Sequence, residues 1–578
     1  MNNLSSLIKN KITKILKITF NIHDICADVA QTTHSQFGHY QCNSSMKLSH
    51  ILGKNARTIA EQIIQHWDWD NEKMIEKLEV AGPGFINITL ASSFLAKELT
   101  QIAEDRRLGV PPLSQKKRII VEFSSPNIAK ELHVGHLRST IIGESLARLF
   151  EFLGHDVIRL NHIGDWGTQF GMLINYLKKH EPDVLSGAKE TDLPSLMHWY
   201  RDAKKLFNVD PDFKKHSQIQ VVNLQNGERE SINAWKKLCS ISRKGFQEVY
   251  DILDVKIMER GESFYNQMLP QVVEDYEKKG MITLSNGAKC VFLEGFKNKD
   301  GTPLPMILQK SDGGYNYATT DSAAILHRVQ EEQANRIIYV VDAGQQLHFQ
   351  MVFKAAERAG YYDPRKVQIE HVPFGLVLGP DGKKFKTRSG NTEKLIDLLQ
   401  EAIHRAYTLL QKRLPHIEKK ELDRLAHILG IDAIKYADLS SHRIKDYLFS
   451  YDRMLNFEGN TAAYLLYSYV RIQGIKRKCG KEASSTILSI ELNHPSEISL
   501  GLKLRQLGEA LSAMDQQLLP NRLSDYLYEL AEKFHAFFRD CRVKGSPQER
   551  SRLALCEITA RIIKQGLYIL GMEIMDQM

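Results

Sequence analysis

The clearest pattern of apolar and polar positions lies in the second hundred residues. The run 118–123 is β-branched and apolar, which predicts a buried parallel strand. Apolar residues then recur at helical spacing from Gly135 until Gly154, a residue type that often ends helices; they are Leu137, Ile141, Leu146, Leu149, Phe150 and Leu153. The apolar run from Val157 to Leu160 predicts a second strand. Together these segments predict a strand–helix–strand unit of an α/β fold.

Similar patterns predict elements further along the chain. Strands are expected at 336–341 and 367–378, which would extend the same parallel sheet. The section from about 171 to 308 is rich in charged helical sequence and is interpreted as an insertion between the two halves of the sheet. After Asn391 the patterns predict helices, at 392–412, 420–437, 454–478, 523–539 and 551–570.

The first 110 residues or so predict a separate α/β domain. Helical patterns at 4–20 and 55–67 precede 79–88, which is predicted to be a strand interrupted by a Gly-Pro-Gly turn, and 106–112 is interpreted as a linker. Residues 1–23 are basic and contain no acid, as in a mitochondrial transit peptide, but their cations are lysines only. Their apolar residues fit one face of an amphipathic helix, which favours the first helix of a folded domain.

Composition narrows the class of protein. At 578 residues the chain is too long for one hydrophobic core, and typical domain sizes predict roughly three to five domains. Its 43% hydrophobic and 25% charged residues are typical of a globular protein. No apolar run approaches the ~20 residues that span a bilayer, so no membrane contact is expected. The net charge of +8 permits a polyanionic partner without requiring one. The seven cysteines contain no CxxC pair, which favours a cytoplasmic protein with reduced thiols and argues against structural zinc.

His133 and His136 lie where the first strand passes into the helix. Backbone N–H groups at a helix N-terminus and the ring N–H donors of two histidines can converge there on a phosphate. The alternative is that both histidines only cap the helix. Residues 133–136 alone do not decide between the two.

A second candidate follows the predicted strand 375–378. A turn sequence at 379–382 is followed by four cations within six residues, namely Lys383, Lys384, Lys386 and Arg388. Such a basic loop suits a mobile segment that closes over a polyphosphate. The alternative is a solvated surface loop, the usual explanation of a charge run.

The two motifs together resemble the HIGH and KMSKS signatures of class I aminoacyl-tRNA synthetases. Four longer segments resemble arginyl-tRNA synthetases in particular: 125–139, 161–170, 317–321 and 457–462. The resemblance extends from about Phe37 to the end of the sequence, so it covers nearly the whole chain. It implies an arginine–tRNA ligase that forms arginyl-adenylate from L-arginine and ATP and passes the arginyl group to tRNA(Arg).

The resemblance also implies the fold and its division into domains. The fold class is α/β, with a Rossmann-type class I catalytic domain, an appended N-terminal α/β domain and a C-terminal all-α anticodon-binding bundle. Residues 1–112 would contact the tRNA corner at the D loop, and 113–390 would form the catalytic domain with its insertion around 171–308. Residues 391–453 would be a helical connection, and 454–578 the anticodon-binding bundle.

Activation requires no protein nucleophile, because the arginine carboxylate attacks the α-phosphorus of ATP and pyrophosphate leaves. The resemblance assigns this chemistry to His133, His136, Lys130, Lys384, Lys386 and Arg388, with Gly135, His133, His136 and Lys384 binding ATP. Thr387 stands where the second lysine of KMSKS belongs, and Lys130 is expected to replace that lysine by reaching the triphosphate. Mg²⁺ is expected with ATP, without a metal site formed by the protein.

Arginine carries a planar, permanently charged guanidinium, which paired carboxylates recognise through bidentate hydrogen bonds. By resemblance, Asp321 and Glu262 contact this group and Tyr317 fixes its plane. The α-amino and carboxylate ends would be held by Ser125, Pro126, Asn127 and Gln345, with His136 close by. From sequence alone, Asp321 could equally be the N-cap of a helix that continues at Ser322, and Glu262 an ordinary loop carboxylate.

Contacts with tRNA are expected in the C-terminal bundle. A basic cluster could contact phosphates: Lys476, Arg477, Lys478 and Lys481. Exposed aromatics could stack on anticodon bases, although a place in the bundle core is preferred for most of them: Tyr526, Tyr528, Phe537 and Phe538. The chain is expected to be a monomer that activates arginine only with tRNA bound. Two alternatives remain, a class I synthetase for another amino acid such as cysteine and an inactive tRNA-binding paralogue.

Overall fold

The computed structural model describes residues 3–32, 34–379, 381–383, 394–480 and 489–578. The chain forms two compact units, and neither is continuous in sequence. Unit 1 consists of Met1–Leu113, Asn456–Tyr568 and Glu573–Met578, and unit 2 consists of Ser114–Leu455 and Ile569–Met572.

The N-terminal part of unit 1 contains an antiparallel sheet and four helices. The elements are α1 Leu4–Phe20, β1 Val29–Gln31, β2 Tyr40–Cys42, α2 Ser44–Leu52, α3 Ala56–Gln65, β3 Ile75–Ala81, β4 Phe85–Leu90 and α4 Ser92–Glu104. The strand order is β1-β2-β4-β3. Helix α1 buries one face, which confirms the predicted amphipathic helix. The interrupted strand predicted at 79–88 is instead part of the β3–β4 hairpin, because the turn at 82–84 reverses the chain.

Unit 2 is built around a sheet of five parallel strands. Its elements up to the end of the helical insertion are β5 Arg118–Glu122, α5 Val134–Leu153, β6 Asp156–Asn161, α6 Thr168–His180, α7 Pro182–Ser186, α8 Leu193–Val209, α9 Pro211–Gln225 and α10 Arg229–Ile252. The remaining elements are β7 Met258–Glu259, α11 Leu269–Lys278, β8 Ile282–Ser285, β9 Ala288–Lys297, β10 Pro303–Gln309, α12 Tyr317–Gln330, β11 Arg336–Tyr339, α13 Gln346–Arg358, β12 Gln368–His371, β13 Val377–Leu378, α14 Leu395–Arg413, α15 Lys419–Leu439, β14 Tyr447–Leu448 and α16 Tyr451–Met454.

The order of the main sheet is β12-β11-β5-β6-β7, so the direction of strand addition reverses between β5 and β11. This confirms the predicted parallel α/β fold. In such sheets, ligands bind beyond the carboxyl ends of the strands at the reversal. The buried core behind this edge includes Ile120, Leu160 and Ile337, one from each of three adjacent strands.

Two parts of unit 2 differ from the prediction. Residues 282–309, expected within a helical insertion, form a three-stranded antiparallel sheet of order β10-β9-β8. The strand predicted at 367–378 is divided into β12 and β13, with Pro373 between them. Strand β13 pairs with β14 outside the main sheet.

Five helices from the C-terminal part complete unit 1: α17 Ala462–Cys479, α18 Pro495–Arg505, α19 Leu507–Gln517, α20 Asn521–Asp540 and α21 Glu549–Ile569. The helix predicted at 454–478 is wrong at its start, because α16 ends at Met454 and Thr461 caps a new helix by accepting the Tyr464 N–H (3.2 Å). Tyr526 and Phe537 are buried in the bundle core, whereas Phe538 is exposed.

The two sequence ends of unit 1 are joined by polar contacts. Glu509 on α19 accepts hydrogen bonds from the Ser5 N–H (2.9 Å), Gln31 Nε2 (2.6 Å) and the Tyr40 hydroxyl (2.8 Å). Because Glu509 serves three donors from α1, β1 and β2, the N-terminal sheet and the C-terminal helices form one unit. Among the helices of the described residues, none is both long and apolar enough to cross a membrane.

The short segment Ile569–Met572 belongs to unit 2 although α21 belongs mainly to unit 1. Lys435 on α15 is 4% exposed, and its ammonium donates to the Gly571 carbonyl. Burial lowers the pKa of Lys435, and the negative charge of Asp432 opposes that effect. The last residues of the sequence therefore supply a partner for a buried cation of unit 2.

Candidate active site

Of the predicted site residues, those at 125–136 follow β5, Glu262 follows β7 and Gln345 follows β11, whereas Tyr317 and Asp321 lie on α12, which precedes β11. Residues 123–133 connect β5 to α5, residues 162–167 connect β6 to α6, and residues 340–345 connect β11 to α13. Parallel strands end at one edge of a sheet, so these three connections contribute to one site.

The connection after β5 contains three non-glycine residues in the left-handed backbone region. The angle φ is +68° at Ser124, +48° at Ser125 and +61° at Ala129. This conformation costs about 1 kcal/mol or more for a residue with a Cβ, so surrounding contacts must enforce it. The predicted substrate residue Asn127 and the predicted cation Lys130 lie on the same connection.

Hydrogen bonds from three elements hold this connection. The Ser124 N–H donates to Ser139 Oγ on α5 (2.9 Å). The Ser125 N–H donates to Asn161 Oδ1 at the end of β6 (2.9 Å). The Tyr250 hydroxyl on α10 lies 2.7 Å from Ser124 Oγ and accepts from Asn161 Nδ2 (3.1 Å). Tyr250, a buried residue of the insertion, thus helps to hold the strained connection in place.

The histidine turn, residues 133–136, begins α5. His133 is the N-cap residue: its Nδ1 accepts the Gly135 N–H (3.1 Å), and its own N–H donates to His136 Nδ1 (3.1 Å). A Cβ at Gly135 would lie 2.9 Å from His133 Cε1, so a side chain there would displace the ring. A neutral imidazole whose Nδ1 accepts carries its proton on Nε2. The two histidines therefore cap the helix and also provide Nε2–H donors at its N-terminus.

His136 is neutral at physiological pH. Desolvation by burial, and then proximity to the titratable ring of His133 and to the positive charge of Lys130, lower the pKa of His136 to about 3. Lys130 is exposed, and its effect on His136 shows that its ammonium lies within electrostatic range of the histidine turn. The reach of Lys130 to a triphosphate stays a prediction.

The basic loop is described only in part. Lys384, Lys386 and Arg388, predicted to act in catalysis, lie outside the described residues. The preceding turn is present, with the Gly382 N–H donating to the Gly379 carbonyl (2.9 Å).

Both described ends of this loop are bonded near the histidine turn. Before the loop, the Arg138 guanidinium on α5 donates to the Gly375 carbonyl (2.7 Å) and pairs with Asp438 (2.9 Å). After it, the Leu395 N–H donates to the Leu132 carbonyl (2.9 Å). Helix α5 therefore holds the segment before the basic loop, and the residues just ahead of α5 hold the segment after it.

Asp321 and Tyr317 lie on the same face of α12. The helix begins at Tyr317 with Asn316 as its N-cap, so the alternative that Asp321 caps the helix is wrong. His348 on α13 bonds to Asp321 Oδ2 through Nε2 (2.6 Å), and its ring centroid lies 4.8 Å from that of Tyr317. Burial raises the pKa of Asp321, but the hydrogen bond and charge of His348 outweigh burial and leave that pKa below its usual value. Asp321 is therefore ionised.

Glu262 follows β7 and begins a 3₁₀ turn that spans Glu262–Met268. Its N–H donates to the Ile163 carbonyl (3.0 Å). Burial, and then the negative charges of Asp321 and Asp165, raise the pKa of Glu262 to about 8. Glu262 has no ion pair among the described residues. The carboxylates of Glu262, Asp321 and Asp165 thus come together at the sheet edge, and the cationic side chains described around them do not balance their negative charge.

The other predicted substrate residues also lie at this edge. Asn127 pairs with Gly164 through a parallel backbone bridge, and the Pro126 carbonyl accepts the Gly164 N–H (3.0 Å). Gln345 ends the short turn after β11 and is exposed. Tyr317 is 58% exposed, so one side of the region around Asp321 is open to solvent. Direct contact of these residues with arginine stays a prediction.

Sequence reasoning missed three residues of the site: His348, Tyr250 and Asp165. The available signal for His348 was its place on a helix that starts directly after β11, three residues beyond Gln345. Tyr250 gave no local signal, because its hydroxyl partners are 126 and 89 positions away. Asp165 stands in the segment 161–170 that carries the family resemblance, but no role was assigned to it.

Within the described ranges, no group of three or more His, Cys, Asp or Glu side chains is arranged to hold a metal ion. All seven cysteines are free thiols, and Cys26 is the exposed one among them.

Comparisons with known proteins agree with this geometry. The family model described as the class I tRNA synthetase (R) catalytic domain matches residues 98–451. Models of the arginyl-tRNA synthetase N-terminal domain and of the DALR anticodon-binding domain match residues 2–90 and 465–578.

Individual relatives cover the whole chain. An arginine–tRNA ligase of Protochlamydia amoebophila is 57% identical over 95% of this chain and 94% of its own length. One from a Nostoc species is 50% identical over the full length of both. The crystal structure of arginyl-tRNA synthetase from Plasmodium falciparum has 35% sequence identity and a TM-score of 0.87, with complete coverage of both chains. The chain belongs to the arginyl-tRNA synthetase family of class I aminoacyl-tRNA synthetases.

Proposed function

We propose that this chain joins L-arginine to tRNA(Arg) in two steps at the site on unit 2. The observation that carries the proposal is the position of Asp321 and Glu262, two carboxylates at the sheet edge where the histidine turn also lies. Class I synthetases use ATP as a substrate, so this edge would bind a nucleotide and an amino acid side by side. The enzyme acts as a monomer in the cytoplasm, where translation takes place.

In the first step an oxygen of the arginine carboxylate attacks the α-phosphorus of ATP. The bond from that phosphorus to the bridging oxygen breaks, and pyrophosphate leaves with the electron pair. The Nε2–H donors of His133 and His136 and the N-terminus of α5 stabilise the charge on the phosphate oxygens. Lys130 adds a cation beside them, and Lys384, Lys386 and Arg388 act from the basic loop. The protein positions the reactants and neutralises charge.

Arginine is selected through its side chain. Asp321 and Glu262, both ionised around a bound guanidinium, accept its N–H donors, and Tyr317 lies against its plane. Ser125, Pro126, Asn127 and Gln345 hold the α-amino and carboxylate ends, with His136 nearby. A site of this kind rejects analogues without those donors by about 10⁴-fold or more, because its own carboxylates would be left unpaired.

In the second step the terminal ribose 2′-hydroxyl of tRNA attacks the arginyl carbonyl carbon and gives its proton to the departing phosphate. The bond from that carbon to the phosphate oxygen breaks, and AMP leaves. Residues 1–112 contact the tRNA corner at the D loop, and residues 454–578 bind the anticodon. Arg477 and Lys478 are exposed and suit phosphate contacts, whereas Lys476 is paired with Glu557. Lys481 lies outside the described residues. Phe538, exposed and beside the Arg471 guanidinium (5.1 Å to the ring centroid), suits base stacking.

Mg²⁺ would enter the site with ATP. The described residues offer no carboxylate set for this ion, so phosphate oxygens and water would hold it. No step assigned to the protein depends on a metal ligand from the chain.

The testing experiment is ATP–pyrophosphate exchange with each of the twenty amino acids, with and without total tRNA. Arginine alone should support exchange, and only when tRNA is present. Exchange with cysteine or another amino acid would replace the assignment by a synthetase of different specificity. Absence of exchange with every amino acid, together with retained tRNA binding, would identify an inactive paralogue.

A further inference from the structure

We infer that Asp165 is a positioning residue for arginine selection, because its buried carboxylate fixes the turn 261–263 and so holds Glu262 beside Asp321. The inference rests on the proposed function, since it assumes that a guanidinium binds between Glu262 and Asp321. Asp165 is 2% exposed and acts through the turn without touching the substrate.

Both oxygens of the Asp165 carboxylate accept hydrogen bonds from one residue of the turn, Ser263. The Ser263 N–H donates to Oδ1 (2.8 Å), and the Ser263 hydroxyl donates to Oδ2 (2.6 Å). The two residues are 98 positions apart, so the contact is a tertiary link between the end of β6 and the segment after β7. Two bonds, one to each carboxylate oxygen, define both the position and the orientation of the residue that follows Glu262.

The residue that precedes Glu262 is equally constrained. A Cβ at Gly261 would lie 2.4 Å from Asp165 Cγ and 2.5 Å from each carboxylate oxygen. The backbone therefore passes directly against the carboxylate, and a side chain at 261 would push the two apart. The Glu262 N–H bonds to the Ile163 carbonyl (3.0 Å), so contacts with 163–165 hold all three residues of the turn.

Asp165 itself is held rigidly. Trp235 on α10 donates its indole N–H to the Asp165 carbonyl (2.7 Å). The Asp165 N–H bonds to the Ile163 carbonyl (3.0 Å). Because a guanidinium fork needs its two carboxylates at a fixed separation, a rigid support for one of them contributes directly to recognition.

The charge of Asp165 gives the role a signature of its own. Its negative charge, after burial and Asp321, raises the pKa of Glu262. Around the three carboxylates, Arg243 and Glu259 face Asp165, and His348, His162 and Arg328 face Asp321. An uncharged residue at 165 would make ionised Glu262 less unfavourable and would move the pH dependence of arginine binding to lower pH.

The test uses three variants of the full chain: Asp165→Asn, Ser263→Ala and Asp210→Asn. Asp210 is a matched control in unit 2, because its carboxylate also accepts backbone N–H groups at a turn, those of Asp212 and Phe213. At pH 8.5, D165N and S263A should each raise the KM for arginine roughly 10- to 100-fold, as expected for the loss of a hydrogen bond to a charged group. The KM for ATP and the melting temperature should stay close to wild type. D165N alone should move the pH midpoint of arginine binding downward, since S263A keeps the charge.

Each result bears on the inference. The inference would be overturned if folded D165N and S263A both kept the wild-type KM for arginine. It would also be overturned if the KM for arginine and the KM for ATP rose equally, or if the pH midpoint of arginine binding in D165N stayed at the wild-type value. If D165N does not fold, the arginine KM of S263A decides the question. Lack of arginine activation by the wild-type chain would instead overturn the proposed function.

Discussion

Arginine binding should release a proton from this enzyme, because the empty site holds Glu262 protonated at neutral pH. The pKa of Glu262 is raised from 4.5 to about 8 by burial and by the charges of Asp321 and Asp165. At pH 7 there would be about ten protonated molecules for each ionised one. The guanidinium never loses its charge, so it binds the ionised form and lowers that pKa in the complex.

The size of the effect follows from the fraction of Glu262 that is ionised before binding. The apparent affinity should rise roughly 50-fold between pH 6 and pH 8, and little more above pH 9. A raised folded-state pKa means that this carboxyl contributes stability below about pH 4.5 that is lost as pH rises through about 8. Arginine should therefore increase the melting temperature more at pH 9 than at pH 6.

Isothermal titration calorimetry of arginine, at pH 7 in two buffers of different ionisation enthalpy, gives the number of protons released. We expect a value close to one, and a value close to zero for Glu262→Gln. His136 does not contribute, because its pKa is lowered to about 3. An arginine affinity that is constant from pH 6 to pH 8, with no proton released, would refute the reasoning.

Three further predictions concern other residues of unit 2. Lys130→Ala should lower the rate of arginine-dependent pyrophosphate exchange about 100-fold or more and leave the arginine affinity unchanged. A near-normal exchange rate would contradict the proposed contact of Lys130 with the triphosphate. Tyr250→Phe should raise the KM for arginine about tenfold by releasing the strained connection after β5. The control Tyr361→Phe, whose hydroxyl donates to Asp275 on α11 (3.2 Å), should leave that KM unchanged. Equal effects of the two substitutions would contradict the role of Tyr250. Lys435→Met should lower the free energy of unfolding by about 3 kcal/mol in urea denaturation, because the negative charge of Asp432 and the Gly571 carbonyl would lose the buried cation that they face, and unchanged stability would contradict that role.

The pattern of apolar and polar positions was sufficient to predict secondary-structure elements where local signals agree with the fold. The unit β5–α5–β6 was predicted because its strands are apolar runs and Gly154 ends the helix in a left-handed conformation. The hairpin β8–β9 was missed, although Asn286-Gly287 is a strong turn signal and both residues have positive φ. Its strands lie within a long section of charged, helix-like sequence, so the overall pattern there favoured helices over a hairpin.

The site was predictable only in part. Residues 133–136 could be placed at a helix start from local pattern, but Glu262 and Asp321 were identified through the family resemblance alone. Local pattern left an N-cap role open for Asp321, because it could not place the helix start at Tyr317, four residues before Asp321. The support of these carboxylates by His348 and Asp165 depends on contacts between residues 27 and 98 positions apart, which local periodicity does not reveal.

The placement of Ile569–Met572 in unit 2 has a consequence for biosynthesis. All strands of the main sheet lie before residue 372, but Lys435 gains its carbonyl partner only once residue 571 has been added. A chain that stops before Gly571 would therefore contain all the predicted site residues but would leave the buried Lys435 ammonium without this carbonyl.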